Sequence, residues 1–122
     1  MELKDFYNTI GESYDLVHGR LLSPERIEKY LTIFFSDNNI ENLKTQVFSH
    51  DMQSAMDTAH TLKGVTATLG FDHLADTICR LHGVLKNNEA EKAEVLCRQI
   101  MEEYETICKE WQDSYVIGKS AK

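Results

Sequence analysis

Proline is nearly absent from this chain, with one residue in 122, and glycine is limited to six. So few breakers argue against many short strands joined by tight turns and favour long helices. Cysteine is also scarce. Cys79, Cys97 and Cys108 are odd in number and show no paired CxxC spacing, which excludes a disulfide framework and suits reduced thiols in a cytoplasmic protein. No stretch approaches the roughly 18 apolar residues of a membrane span. The opening MELKDFYNTIG lacks the basic segment and apolar run of an export leader, so a soluble protein with no membrane partner is expected. Positive charge is in deficit, with 13 Lys and Arg against 20 Asp and Glu, a formal net charge of -7. That sign opposes a phosphate backbone, no basic patch offsets it, and nucleic acid is excluded as a partner.

What remains is 42% hydrophobic and 27% charged, ordinary for a folded domain, and the length suits one core. Leu3, Phe6, Tyr7 and Ile10 fall at helical spacing before Gly11, predicting a short N-terminal helix over the first ten residues. Residues 11–22 read as a connection. Ser23-Pro24-Glu25 is a helix start: a serine cap, a proline where no N–H is needed, and an acid at the positive end of the dipole. Ile27, Leu31, Phe34 and Phe35 follow in phase, which slips at Asp37-Asn38-Asn39 before Ile40, Leu43, Val47 and Phe48. The pattern fits either one kinked helix or two abutting ones.

From Asp51, the residues Met52, Ala55, Ala59, Leu62, Thr66 and Leu69 recur at the three- and four-residue spacing of a bundle seam. Gly70 suits the left-handed closing residue, Asp72 a cap for the next helix, and the short connection an antiparallel hairpin. Leu74, Ile78, Leu81 and Leu85 form the partner stripe. Asn88 and Glu91 are spaced as a capping box for a last helix carrying Ala93, Leu96, Ile100, Ile107 and Trp111. The expected fold is an all-α antiparallel four-helix bundle with a short additional N-terminal helix. Its core spans about residues 21–112 of one domain, 1–122, with 113–122 as a frayed tail.

The stretch AHTLKGVTATLG, residues 59–70, carries the chemistry. At about 100° per residue His60 lies roughly 130° from the centre of the seam and faces solvent, with Gly64 one turn on. A glycine inside a helix costs about 1 kcal/mol relative to alanine. Gly64 points away from the deduced core, so close approach by another molecule explains it better than internal packing. Lys63, three residues from His60, disfavours a proton on the imidazole and can pair with a phosphoryl group on a ring nitrogen. A neutral imidazole attacks phosphorus and yields a labile bond, so the residues suggest phosphoryl carriage.

With Ala59-His60, Leu62-Lys63-Gly64, Leu69-Gly70 and Leu74, the chain resembles the histidine-containing phosphotransfer (HPt) domains of multistep phosphorelays. The resemblance implies His60 as phosphoacceptor, Lys63 as stabiliser of the phosphoryl group, and Gly64 as space for docking a response-regulator receiver domain. Met56, Ala67 and Phe71 are the further docking candidates. It implies partners in receiver domains and a sensor or hybrid histidine kinase, no cofactor of its own, and a magnesium ion on the receiver. The chain is then a carrier and not a catalyst, and a monomer is expected. A start at Met1 with its own helix suggests a free-standing protein. Many relatives carry a glutamate after the leucine that is Leu81 here; His82 in its place favours exchange with receivers over direct transfer from a chemotaxis-type kinase.

Two other readings are open. A bundle could dock a signalling partner without phosphotransfer, though docking alone does not need His60. Cys79 and His82, at i and i+3, could supply two ligands to a metal, but no second pair at ligand spacing accompanies them. His18, His50 and His73 sit near loops or helix ends and carry no functional expectation. Cys97 and Cys108 are expected as small hydrophobes along the last seam.

Overall fold

The structure, a computed structural model, describes residues 2–116. It contains no strand among them. Seven α-helices follow in order: α1 Leu3–Thr9, α2 Tyr14–Leu21, α3 Pro24–Ser36, α4 Asn39–Phe48, α5 Met52–Thr68, α6 Asp72–Lys86 and α7 Ala90–Glu110. A π turn, Trp111–Val116, closes the described chain. Helices α4 to α7 form a ring in which α5 packs on α6, α6 on α7, α7 on α4 and α4 on α5. The all-α class holds, but the helix count exceeds the expected four plus one.

One added helix comes from the segment read as a connection. Ser13 Oγ accepts the Leu16 N–H and starts α2, which ends at Leu22 in a left-handed conformation. Its sequence hid it because Val17 is its only fully buried residue, so no apolar stripe marks it. The other added helix resolves the phase slip. Asp37 is extended and its Oδ1 accepts the Asn39 N–H, so α3 and α4 are separate helices.

The remaining start signals are mixed. Ser23 caps α3 through the Arg26 N–H with Pro24 at the first position, and Asp51 caps α5 through the Ser54 N–H. The caps expected from Asp72 and Asn88 are not formed. Phe71 stands at the N-cap of α6, with Asp72 already in its first turn, and Glu89 stands at that of α7. Asn88 instead takes a positive φ of 59° and turns the chain. The α6 start is served from a distance by Glu12, whose carboxylate accepts the His73 N–H at 3.0 Å.

The core extends beyond the expected 21–112. Leu3, Phe6, Tyr7 and Val17 are fully or almost fully buried on the N-terminal side, and Trp111 and Tyr115 on the C-terminal side. These aromatics meet Phe34, Phe35, Phe71 and Tyr104 at one end of the bundle, with centroids 4.5 to 6.4 Å apart. Tyr115 stacks on Trp111 and its hydroxyl donates to Glu28 at 3.0 Å, so the expected frayed tail is held in place at Tyr115. Residues 117–122 of that tail lie outside the described residues.

Candidate functional site

α5 is one ridge between two seams. Its buried side, Ala55, Ala59, Leu62 and Thr66, faces the bundle, and Thr66 satisfies its hydroxyl on the Leu62 carbonyl at 2.7 Å. His60 is exposed on the outer side, as its angle on the helix predicts. Lys63, Met56 and Ala67 are half-buried. They fall on the side of His60 that turns toward α6, where the ring of His82 stands 6.2 Å from that of His60.

Gly64 lies on the other side of the ridge. A Cβ built there would meet nothing within 4 Å, so no packing inside the molecule calls for a glycine. Beside it runs an apolar groove of about 560 Å³ between α5 and the α2–α3 pair. Leu21, Tyr30, Ile33, Thr61 and Val65 line it with Gly64. Tyr30 and Ile33 are 43% and 51% exposed, an unusual position for large apolar side chains flanking a polar ridge. The sequence offered a signal for these residues: both fall off the Ile27–Leu31–Phe34 stripe of α3, on its outer face.

Phe71 does not join the surface. It is fully buried, stacked on Tyr7 at 6.0 Å and tilted against Phe34 at 5.6 Å. The docking role that the family resemblance implies for it therefore does not hold. The backbone there turns inward, with Gly70 at φ +79°. The Tyr7 hydroxyl donates to the Leu69 carbonyl at 2.6 Å, and Arg20 donates to that of Ala67 at 2.5 Å, so α1 and α2 fasten the end of α5. Burial, then the charges of Tyr14 and Glu12, push the Tyr7 phenol well above its ordinary range, so it stays a hydrogen-bond donor.

Among the described residues no three His, Cys, Asp or Glu side chains gather as a metal site. Cys79 is exposed, Cys108 half-buried and Cys97 buried; burial pushes the Cys97 thiol up to about 11, leaving it an inert hydrophobe. His50 pairs with Glu94 and His73 with Glu12, and the ring of His18 lies against Tyr14, so each of the three is engaged by a neighbouring side chain.

The ridge thus carries an exposed histidine, a lysine one turn on and a glycine with open space over it, on one helix of a four-membered ring. A family model for the Hpt domain matches residues 29–112. The chain belongs to the Hpt domain family. The match covers α4 to α7 whole and therefore the entire ridge. No curated protein and no solved structure matches the chain. Hpt domains are phosphoryl-carrying modules of phosphorelay signalling that interact with receiver domains and kinases, and they are carriers rather than catalysts. Among the described residues no helix is long and apolar enough to cross a membrane.

Proposed function

We propose that this chain carries a phosphoryl group between receiver domains, with His60 as the acceptor. The observation that supports this most directly is the ridge itself. His60 is the exposed nucleophile, Lys63 lies one turn away, and Gly64 keeps the surface beside them flat enough for another protein's active site to reach the ring. In the transfer, the lone pair of the unprotonated His60 ring nitrogen forms the P–N bond. The P–O bond to the receiver's aspartyl carboxylate breaks, its electron pair leaving with the carboxylate. The reverse step, onto a second receiver, returns the imidazole. Lys63 stabilises the charge on the transferring group, and the receiver brings the magnesium ion.

The docking face consists of Gly64, Met56 and Ala67 on α5 together with the groove wall on α3, where Tyr30 and Ile33 offer apolar contact. A sensor or hybrid kinase feeds the relay through its receiver. The chain acts as a monomer, in the cytoplasm, with no cofactor of its own.

The test is incubation of the full chain and of its His60→Gln variant with receiver domains charged as aspartyl phosphate, followed by intact-mass analysis after an alkaline quench. One added phosphoryl group, absent from His60→Gln, is the expected result. The variant keeps its fold, because exposed substitutions change stability by only about 0.5 kcal/mol. No gain across a broad panel of charged receivers would sink the carrier role and leave a docking module.

A further inference from the structure

His82 brings a second imidazole to the phosphoacceptor. Its ring, on α6, is inclined at 48° to that of His60 with centroids 6.2 Å apart. His60 is exposed and His82 half-buried, so both rings meet solvent. A phosphoryl group bonded to His60 brings acceptor oxygens and added negative charge within a few ångströms of the second ring. A glutamate at this position would repel that charge. An imidazole has an N–H to donate and, once protonated, a positive charge to offer.

We infer that His82 is a titratable charge partner of phosphorylated His60, its imidazolium form pairing with the phosphoryl group, so that phosphoryl retention by this carrier is coupled to proton uptake. The inference rests on the phosphoacceptor role proposed for His60. Phosphorylation adds one PO3⁻ unit, with the P–N bond formed and the P–O bond broken as above; the proton on His82 comes from solvent, and His82 forms no covalent bond. Protonation of unphosphorylated His60 opposes transfer at low pH whatever stands at position 82. The contribution of His82 therefore appears as the ratio of transfer equilibrium constants between the natural chain and His82→Gln, and that ratio grows as pH falls.

The surroundings favour an anion at this spot. From α5 the ring of His60 faces His82, with Lys63 one turn further along that helix, and on α6 Cys79 and Lys86 stand one turn to either side. Asp57 is on the outer side of His60, where it accepts a hydrogen bond from Gln53 at 3.2 Å. α7 packs on the opposite side of α6, with Glu103 bonded to Thr77, and Glu91 and Lys92 beside Val84. For unit charges about 6 Å apart at an effective dielectric of about 40 to 80, the pairing changes an equilibrium about three- to tenfold.

Two readouts test this on the full chain. In the first, the transfer equilibrium with a receiver is measured for the natural chain and His82→Gln between about pH 8 and about pH 6, the window in which imidazole titrates. The ratio is expected to rise about three- to tenfold across that window; a flat ratio overturns the inference. Glutamine keeps a hydrogen-bond donor without a titrating group, so a purely positional role for His82 would leave the ratio flat.

In the second, the chain is charged with phosphoramidate, which needs no receiver, and the His82 ring is titrated by NMR before and after. Its midpoint is expected to move up by about half to one pH unit. An unmoved midpoint overturns the inference. If receivers fail to charge His60 but phosphoramidate succeeds, the relay reading falls while the NMR titration still decides the role of His82. If neither agent charges His60, both fall.

Discussion

α5 and the turn after it contain two glycines with opposite reasons to be there. At Gly70 an added Cβ would overlap Val17 Cγ2 and the backbone is at φ +79°, so both space and conformation demand glycine. At Gly64 the helix is regular and an added Cβ would touch nothing. The first glycine serves the molecule's own interior, where α1 and α2 close over the end of α5. The second serves nothing inside the molecule. A residue that weakens a helix without an internal return points to an external one.

Substitutions at the two positions should therefore diverge. Gly70→Ala is expected to destabilise the fold by about 2–4 kcal/mol, from left-handed strain plus overlap with Val17, read as a shift in denaturant midpoint. Combining it with Val17→Ala should return less of that loss than the overlap alone predicts, because the new change leaves a cavity of its own. Gly64→Gln should do the reverse: little or no loss of stability but a severe loss of receiver-to-His60 transfer, measured against the same receiver panel. Transfer at the natural rate would remove the explanation of that glycine.

Smaller effects sharpen the contrast. Tyr7→Phe removes the donor to the Leu69 carbonyl beneath Gly70 and should cost about 1–2 kcal/mol in stability, with transfer to His60 unchanged. Gly64→Ala should stabilise the helix by about 0.5–1 kcal/mol, since the methyl group enters open space. The smallest effect belongs to the Glu12–His73 pair. A hydrogen bond and the charge of Glu12 raise the His73 midpoint above its ordinary value. A raised folded-state midpoint makes the contribution of His73 fully present below about pH 6.5 and lost as pH rises through the folded midpoint. His73→Gln should thus lower stability slightly in acid and not at alkaline pH. The ring is mostly exposed, so solvent screening keeps the difference small.

The long helices were legible because their apolar residues repeat in phase: the seam of α5 from Ala55 to Thr66 and the stripe of α6 from Leu74 to Leu85 are buried as read. α2 was not legible, since one buried valine makes no pattern. Nor were the helix starts that lack local caps. Glu12 serves α6 from across the fold, and nothing near Asp72 in the sequence signals that a partner 61 residues away will do so.

The outward direction of the ridge is legible from helical periodicity. His60 points outward at the angle the seam implies, and Lys63 and Gly64 follow from spacing. Its borders are not. Phe71 is a docking candidate only by family resemblance, and the aromatic cluster draws it into the core, where burying so large a ring is strongly favourable.

The sequence by itself determined the helical class, the exposure of His60 and the pairing of Lys63 and Gly64 with it, because helical geometry fixes the relative directions of residues on one helix. Only the tertiary structure decided what stands across each seam. It set His82 6.2 Å from His60 on one side and opened the groove lined by Tyr30 and Ile33 on the other. Those relations depend on how separate helices pack and rotate against one another, and that is set by the summed fit of the whole core, not by any local spacing.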